Sequence, residues 1–120
     1  MVKKTLVLGA STNPARYSYK AVKKLLEYNY AVVAIGMRET TIETVQVHKG
    51  MPDFKNIHTI TLYMNPANQE QFLEYLIGLN PRRIIFNPGT FNPKLYKMAK
   101  AAGIETKEDC TLIMLEMENF

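Results

Sequence analysis

Residues 5–14, TLVLGASTNP, decide the fold of this chain. A short apolar run, Leu6-Val7-Leu8, stops at Gly9 and gives way to small polar residues, and a helix-compatible segment begins a few positions later. A buried strand that turns through glycine into a helix forms an anion site in α/β proteins. The first backbone N–H groups of the helix lack intrahelical partners, and the helix dipole favours negative charge there. The stretch therefore raises the question of which phosphate-bearing ligand, if any, it holds.

The composition bounds the class of protein. At 120 residues, with 47% hydrophobic residues and a mean hydropathy of -0.17, the chain is expected to form one globular domain, residues 1–120. It has no apolar run near the roughly 20 residues that span a bilayer, so we expect no membrane association. The apolar run at the start is too short for a signal peptide. The single cysteine fits a reducing compartment, and we expect a cytoplasmic protein.

The charge is unevenly distributed along the chain. Residues 1–38 carry a net charge of +6, residues 39–100 carry +2, and residues 101–120 carry −4. The positive third contains the glycine turn, and it is either a solvated basic helix face or a surface that attracts a polyanionic small ligand. Nucleic acid is a less favoured partner, because the basic residues do not cluster with aromatic residues in a recognisable binding motif.

Strand and helix patterns alternate along the sequence. Strands are predicted at residues 5–8, 31–35, 57–63 and 83–86. A fifth strand is predicted to begin near residue 104, and the apolar residues 112–115 leave open whether it resumes there. Helices are predicted from residue 14 or 15 to 28, at 67–79 and at 93–102, with Asn29 and Gly103 as helix-ending residues. Residues 37–56 are ambiguous, with a short strand that would contain Ile42, Val45 and Val47 and a turn at Gly50-Met51-Pro52 as the candidate elements. The alternation predicts an α/β fold in three layers, Rossmann-like, with a mostly parallel sheet of about five strands and helices on both faces.

Five of the six prolines follow an asparagine. Three of these pairs, Asn13-Pro14, Asn65-Pro66 and Asn87-Pro88, come directly after a predicted strand. In a parallel sheet the three loops would share the carboxyl edge, where open α/β sheets bind ligands. Asparagine is a good N-cap and proline fits the first helical turn, so the pairs indicate helix initiation, ligand contact or both.

The glycine turn lacks the two common phosphate motifs. Gly9 is followed by Ala10-Ser11-Thr12-Asn13, so G-x-G-x-x-G is absent, and no Gly-Lys-Ser/Thr follows that would make a P-loop. The hydroxyl groups of Ser11, Thr12 and Ser18 and the amide of Asn13 are the candidate replacements. Arg16 lies about one turn into the predicted helix and is expected to add positive charge.

The end of the second strand is the next discriminator between ligands. An NAD-binding fold usually has an acid there that accepts hydrogen bonds from the ribose. This strand ends Ile35-Gly36-Met37-Arg38-Glu39. Arg38 suits a ribose that carries a phosphate, such as a 2′-phosphorylated dinucleotide or the 3′-phosphate of coenzyme A, whereas Glu39 keeps NAD open. Arg38 is equally well interpreted as an ordinary surface residue.

The stretch V-L-G-A-S-T-N-P-A-R-Y-S-Y-K-A resembles the start of the small, stand-alone CoA-binding domain proteins, which are similar to the N-terminal domain of the succinyl-CoA synthetase α subunit. The resemblance continues through Tyr28-Asn29-Tyr30, the segment LYMNP at residues 62–66, the turn FNPG at 86–89, and AAGI followed by Asp109-Cys110. It implies a Rossmann-like fold that binds CoA with its adenosine diphosphate over the first loop.

The resemblance also implies roles for individual residues. Gly9, Ala10, Ser11, Asn13, Arg16 and Ser18 would bind the phosphates, and Gly36 and Arg38 would lie near adenosine. Asn65 and Pro66 would lie along the cofactor, and Asn87, Pro88 and Gly89 towards its thiol end. The chain departs from the family at Gly36-Met37, where Asn-Pro is frequent, which puts the adenosine contacts in doubt. It also lacks the second domain of the synthetase, with its phosphorylated histidine, so a complete ligase is not expected.

Other candidate chemistry is weak. Cys110 follows two acids and precedes apolar residues, so we expect a buried structural thiol. His48 and His58 have no acid at triad spacing, and one cysteine with two distant histidines makes no zinc site. Arg82 and Arg83 begin a strand, at the edge opposite the expected ligand, and are expected to face solvent or an interface. We expect neither a metal site nor a catalytic residue.

Three functions remain open. The first is a module that binds CoA or an acyl-CoA without independent catalysis and acts as a sensor or with a partner protein. The second is an NAD(P)-dependent oxidoreductase or other nucleotide-binding enzyme. The third is an interaction domain with a vestigial nucleotide site, for which a homodimer or another protein would be the partner. The order of the motifs favours the first.

Overall fold

The sheet has seven strands in the order β3-β4-β2-β1-β5-β6-β7 in a computed structural model that describes residues 3–120. The strands are β1 Thr5–Ala10, β2 Val32–Gly36, β3 Thr40–Ile42, β4 Val45–His48, β5 Thr59–Leu62, β6 Arg83–Phe86 and β7 Glu105–Glu108. All pairings are parallel except that of β3 with β4. The α/β, Rossmann-like prediction is confirmed, but the sheet has more than the five strands expected.

The two additional strands come from the ambiguous region. β3 and β4 form an antiparallel hairpin whose turn includes Glu43 at φ 53. Ile42, Val45 and Val47 from this hairpin are buried, so three apolar side chains attach it to the edge of the sheet. Strands of three and four residues are too short to show a clear alternating pattern in the sequence.

Helices cover both faces of the sheet. They are α1 Tyr17–Glu27, α2 Pro66–Gln69, α3 Leu73–Gly78, α4 Pro93–Ala101 and α5 Thr111–Glu116, with a 3-10 turn Glu70–Phe72 between α2 and α3. One core cluster packs α3 and α4 on the sheet through Leu76 and Leu95. The other packs α1 and α5 on the opposite face through Leu25 and Met114. These are the three layers that the alternating pattern predicted.

The last apolar run is a helix and not a strand. A strand resuming at 112–115 was one expected outcome, and it is wrong, because residues 111–116 form α5. Thr111, Met114 and Leu115 are buried whereas Ile113 is 52% exposed, which is helical spacing. A four-residue apolar run is too short to distinguish the helical spacing of apolar residues from the alternation of a strand.

The predicted helix ends agree with the backbone. Asn29 follows α1 in the left-handed conformation (φ 65), and Gly103 follows α4 at φ 74. At its other end α1 begins at Tyr17, two or three residues later than expected, because residues 14–16 form a turn. Within residues 3–120, no helix has both the length and the apolar character needed to span a membrane.

Candidate functional site

The strand order reverses between β1 and its two neighbours. The chain runs from β1 outward through β2 and β4 on one side, and through β5, β6 and β7 on the other. The loops that follow β1 and β5 therefore diverge at the carboxyl edge, and this is the switch point at which open α/β sheets bind ligands. Three of the Asn-Pro pairs follow β1, β5 and β6 at this edge, as predicted.

Gly9 is required by the geometry of this switch point. Its φ of +99° is a conformation that side chains rarely adopt, and the β1–β2 register shifts between Leu8 and Ala10. A Cβ atom on Gly9 would lie 3.0 Å from the backbone carbon of Tyr63. The amide of Tyr63 in turn donates to the carbonyl oxygen of Leu8 at 2.8 Å. The loops that follow β1 and β5 are thus in direct contact, and they can approach this closely because Gly9 has no side chain.

The side chains of the first loop shape its backbone. Ser11 Oγ accepts a hydrogen bond from the Asn13 amide at 3.1 Å, and Asn13 Oδ1 accepts from the Ala15 amide at 3.0 Å. The Arg16 amide donates to the Asn13 carbonyl oxygen at 3.0 Å. Ala10 is buried and Thr12 is half-buried. Ser11 and Asn13, predicted as ligand contacts, therefore also hold the turn that leads into α1.

The N-terminus of α1 has no side-chain cap. Its N-cap residue Arg16 is extended (φ −80, ψ 142), makes no capping hydrogen bond, and is exposed. The first turn of α1 contains no acid, and Ser18 within it is buried. The first backbone N–H groups of an 11-residue helix are thus left for an external acceptor beside an exposed cationic side chain. This arrangement suits an anion.

Gly36 marks the close approach of β2 to the first loop. A Cβ atom there would lie 2.5 Å from the carbonyl oxygen of Ala10 and 2.8 Å from Val47 Cγ1. The departure from the family pattern at this position thus has a packing reason in this chain. Gly36 is buried and cannot offer a side chain, so its contribution to a ligand site is the space that it leaves.

The two charged residues after β2 differ in their availability. Glu39 is held by the turn after β4, because its carboxylate accepts from the Lys49 amide at 2.6 Å and from Gln46 Nε2 at 3.3 Å. Arg38 is exposed. The acid that kept the NAD interpretation open therefore already accepts hydrogen bonds from the protein, although both side chains are exposed.

The second and third loops use their asparagines differently. Asn65 is exposed and caps α2, since its Oδ1 accepts from the Asn68 amide at 2.9 Å, and Pro66 occupies the first helical turn. Asn87 is 4% exposed. Its Nδ2 donates to Thr61 Oγ1 at 2.7 Å and to the Leu62 carbonyl oxygen at 2.8 Å, and its Oδ1 accepts from the Thr111 amide at 2.9 Å.

Asn87 therefore ties β5, β6 and α5 together at the carboxyl edge of the sheet. The following residues, Pro88 and Gly89, form an exposed turn with Gly89 at φ 84. Any ligand at this loop would meet the backbone of that turn before the buried Asn87 amide. The sequence prediction of Asn87 as a ligand contact stays a prediction, and its structural role is the better defined one.

A buried polar network behind the loops was missed by the sequence interpretation. Gln69 Nε2 donates to the carbonyl oxygens of Met64 and Thr90, both at 2.8 Å, and its Oε1 accepts from Asn92 Nδ2 at 3.1 Å. Asn92 Oδ1 in turn caps α4. The network fixes the second loop against the third. Gln69 lies three and four residues before the buried Phe72 and Leu73, and this helical spacing was an available signal for its inward position.

Cys110 and Tyr63 lie near each other, beside the hydroxyl groups of Thr61 and Thr111. Cys110 was predicted to be buried, but it is partly exposed because it is the N-cap residue of α5, outside the packed part of that helix. The hydroxyl oxygen of Tyr63 is buried without a hydrogen-bond partner in the described part of the chain. Burial, and to a smaller extent the nearby Cys110 thiol, raise the pKa of Tyr63, so its hydroxyl stays protonated.

The histidines lie at opposite edges of the sheet. His48 ends β4 at the carboxyl edge, and His58 precedes β5 at the amino edge, so they do not form a common site.

Arg83 was predicted to face solvent or an interface, and this is wrong, since it is 6% exposed and lies beside Phe120. In residues 3–120 no group of three His, Cys, Asp or Glu side chains could hold a metal ion.

The fold and the strand order define a Rossmann-like α/β protein. The model of the CoA binding domain family matches residues 3–116, and the chain therefore belongs to that family, as the sequence motifs predicted. A search of curated proteins finds no match.

Solved structures share the architecture. The crystal structure of an uncharacterized protein is 36% identical, with a TM-score of 0.96 over 100% of this chain and 99% of the other. A hypothetical protein from Pyrococcus horikoshii OT3 is 24% identical, with a TM-score of 0.87 over 97% and 83% of the two chains. A dinucleotide-forming acetyl-coenzyme A synthetase from Ca. Korarchaeum cryptofilum, 14% identical, has the same fold in 25% of its length, matched by 89% of this chain with a TM-score of 0.73.

Proposed function

We propose that this single-domain protein binds coenzyme A or an acyl-CoA at the carboxyl edge of its sheet and has no catalytic activity of its own. The observation that carries the proposal is the uncapped N-terminus of α1 beside the Gly9 bulge at the switch point. The CoA diphosphate would accept hydrogen bonds from the first amides of α1, with Arg16 as the neighbouring cation. Family membership supports CoA as the ligand.

Ser11, Thr12 and Ser18 carry the hydroxyl groups of this phosphate site. Ser11 already accepts from the Asn13 amide, but its hydroxyl proton is still available to a phosphate oxygen. Hydroxyl and backbone donors in place of a glycine-rich motif agree with the absence of G-x-G-x-x-G. These donors would bind a diphosphate without the close approach of the backbone to the phosphates that the second glycine of G-x-G-x-x-G allows.

The residues after β2 favour CoA over NAD. Glu39 is hydrogen-bonded by Lys49 and Gln46, so a ribose hydroxyl would compete with those donors for the same carboxylate. Arg38 is exposed and suits the 3′-phosphate of CoA. The adenosine would lie over Gly36, and the pantetheine would run past Asn65 and Pro66 towards Pro88 and Gly89.

The chemistry of the site favours binding over reaction. The residues proposed to hold CoA include no acid and no base that could activate the hydroxyl groups of Ser11, Thr12 or Ser18 as nucleophiles. The described groups with a lowered pKa, Lys3, His58 and Arg83, lie at the amino edge, away from this site. A module of this kind would act as a CoA sensor or with a partner protein, and the single cysteine fits a cytoplasmic location.

Isothermal titration calorimetry with CoA, acetyl-CoA, dephospho-CoA, NAD and NADP tests the proposal. We expect CoA to bind more tightly than NAD. We also expect dephospho-CoA, which lacks the 3′-phosphate, to bind about tenfold more weakly than CoA, the loss of one charge-assisted contact. In Arg38→Met the difference between CoA and dephospho-CoA should largely disappear.

The exposed Lys97 of α4 provides a matched control, because Lys97→Met removes the same charge away from the site. This variant should keep the native preference for CoA over dephospho-CoA. Tighter binding of NAD than of CoA contradicts the proposed ligand. Equal binding of CoA and dephospho-CoA by the native protein leaves CoA as the ligand but removes the role of Arg38.

A further inference from the structure

Four basic side chains meet at the amino edge of the sheet, opposite the proposed CoA site. They are Lys3, His58, Arg82 and Arg83, and together we call them the amino-edge cluster. Backbone hydrogen bonds hold the cluster in place, since the amides of Arg82 and Arg83 both donate to the carbonyl oxygen of His58, at 2.9 and 3.1 Å. The acid beside the cluster is Glu105, which pairs with Arg83 in the β6–β7 register.

Arg83 is buried without the partners that a buried guanidinium needs. It is 6% exposed, and its Nε donates to Thr59 Oγ1 at 2.8 Å. Its Nη2 is buried with no hydrogen-bond partner among residues 3–120, and no ion pair within 4.0 Å joins it to a carboxylate of those residues. The Phe120 ring lies 4.4 Å from its Cζ and covers one face of the guanidinium.

The charge around Arg83 is not balanced either. Lys3 approaches the same Phe120 ring, with its Nζ 5.9 Å from the centroid, and donates to the Phe120 backbone oxygen at 2.8 Å. Lys3, Arg82 and Arg83 thus place three basic side chains beside the Glu105 carboxylate and the Phe120 backbone oxygen. A buried arginine is destabilising unless its charge and its donors are compensated, and Nη2 is the donor that has no partner in the described chain.

The pKa of His58 responds to these neighbouring basic side chains. Burial, then Arg83, Lys3 and Arg82, lower its pKa, and the smaller effect of Glu105 raises it. Thr59 Oγ1 lies 2.8 Å from His58 Nδ1 and accepts from Arg83 Nε, so one hydroxyl group links the imidazole to the buried guanidinium.

We propose that the amino-edge cluster is a second anion site, distinct from the CoA site, that binds a small oxyanion through Arg83 Nη2 and the Lys3 ammonium. The ligand is a carboxylate or a tetrahedral dianion of the phosphate type. Its oxygens supply the acceptor that Nη2 lacks and offset the three cations. Since Nη2 is closed from solvent by its surroundings, binding requires the Phe120 side chain to shift.

The pKa of His58 gives a direct test, because an anion beside Arg83 and Lys3 opposes their effect on the imidazole. The imidazole C–H signals of His58 and His48 are followed by NMR from pH 5 to 8 in sodium chloride, sodium acetate and sodium sulfate at equal ionic strength. We expect a saturable rise of the His58 midpoint by about half a pH unit or more, which is roughly threefold in proton affinity. His48, at the other edge of the sheet, is the internal reference.

Variants distinguish anion binding at the cluster from the general screening of its charges by salt. The anion-dependent rise should be lost in Arg83→Met and kept in Lys97→Met. If Arg83→Met does not fold, Lys3→Met should still weaken the apparent anion affinity, by about tenfold for the loss of one charge-assisted contact. Acetate and sulfate acting equally or unequally both support the site, and the stronger ion identifies its chemistry. A His58 midpoint that is the same in all three salts, or a full response in Arg83→Met, overturns the proposal.

Discussion

Replacing Asn87 by alanine should destabilise the protein strongly, although this residue lies in a loop. The change removes three hydrogen bonds, to Thr61 Oγ1, to the Leu62 carbonyl oxygen and from the Thr111 amide. Each contributes about 1 kcal/mol net, and the two buried backbone groups left without partners add roughly 1 kcal/mol more. We therefore expect Asn87→Ala to lower the free energy of unfolding by about 4 kcal/mol, a large fraction of the roughly 5–15 kcal/mol of a typical domain.

Urea denaturation followed by circular dichroism measures this loss. The midpoint should fall with little change in the m-value, since the folded state keeps its compactness. Asn119→Ala, at an exposed asparagine near the end of the described chain, is the matched control and should change stability by less than about 0.5 kcal/mol. A loss below about 1 kcal/mol in Asn87→Ala would refute the reasoning, because water would then replace the three bonds.

A double-mutant cycle with Thr61→Val tests whether these groups act as one unit. Thr61 Oγ1 lies 2.7 Å from Thr111 Oγ1 and accepts from Asn87 at 2.7 Å. The two single changes share a hydrogen bond, so their effects should fall short of additivity by about 1 kcal/mol. Simple additivity would mean that Asn87 and Thr61 stabilise the loops independently.

Three further predictions concern the backbone and the charges. Gly9→Ala should cost about 2–3 kcal/mol by urea denaturation and weaken CoA binding, because φ +99° and the 3.0 Å approach to Tyr63 both oppose a side chain; an unchanged stability would contradict this. Glu39→Gln should change CoA affinity less than about twofold by calorimetry, since its carboxylate is engaged by the Lys49 amide; a tenfold change would place it on the ligand. The folded-state pKa of His58 lies below 6.5, so the unfolded chain binds more protons, and stability should fall as pH decreases through 6.5 towards the lowered pKa. In His58→Asn this decrease between pH 7.5 and 5.5 should be smaller, and an equal decrease would assign it to other groups.

Local signals account for what the sequence predicted well. The strand, glycine turn and helix at residues 5–27 lie next to one another in the chain, and so do the Asn-Pro pairs that start α2 and α4. The same holds for Asn29 and Gly103, whose left-handed conformations follow from the ends of their helices. Each of these features is decided by neighbours within one or two turns.

The features that the sequence did not predict depend on distant parts of the chain. Thr61 and Thr111 meet across 50 residues, and Gln69 reaches the Thr90 carbonyl oxygen across 21. The burial of Arg83 depends on Phe120, which is far away in sequence. No periodicity within a strand or helix carries this information, so the sequence predicted a solvent or interface position for an arginine that is buried.

The most direct test of the CoA proposal is the affinity for CoA of the native protein and of Arg16→Ala, measured by isothermal titration calorimetry. Arg16 is exposed at the uncapped start of α1, so its removal should leave the fold intact. We expect saturable CoA binding that weakens about tenfold in Arg16→Ala and is unchanged in the control Lys97→Ala. Native affinity for CoA in Arg16→Ala, or no CoA binding by the native protein, would contradict a phosphate site at the start of α1.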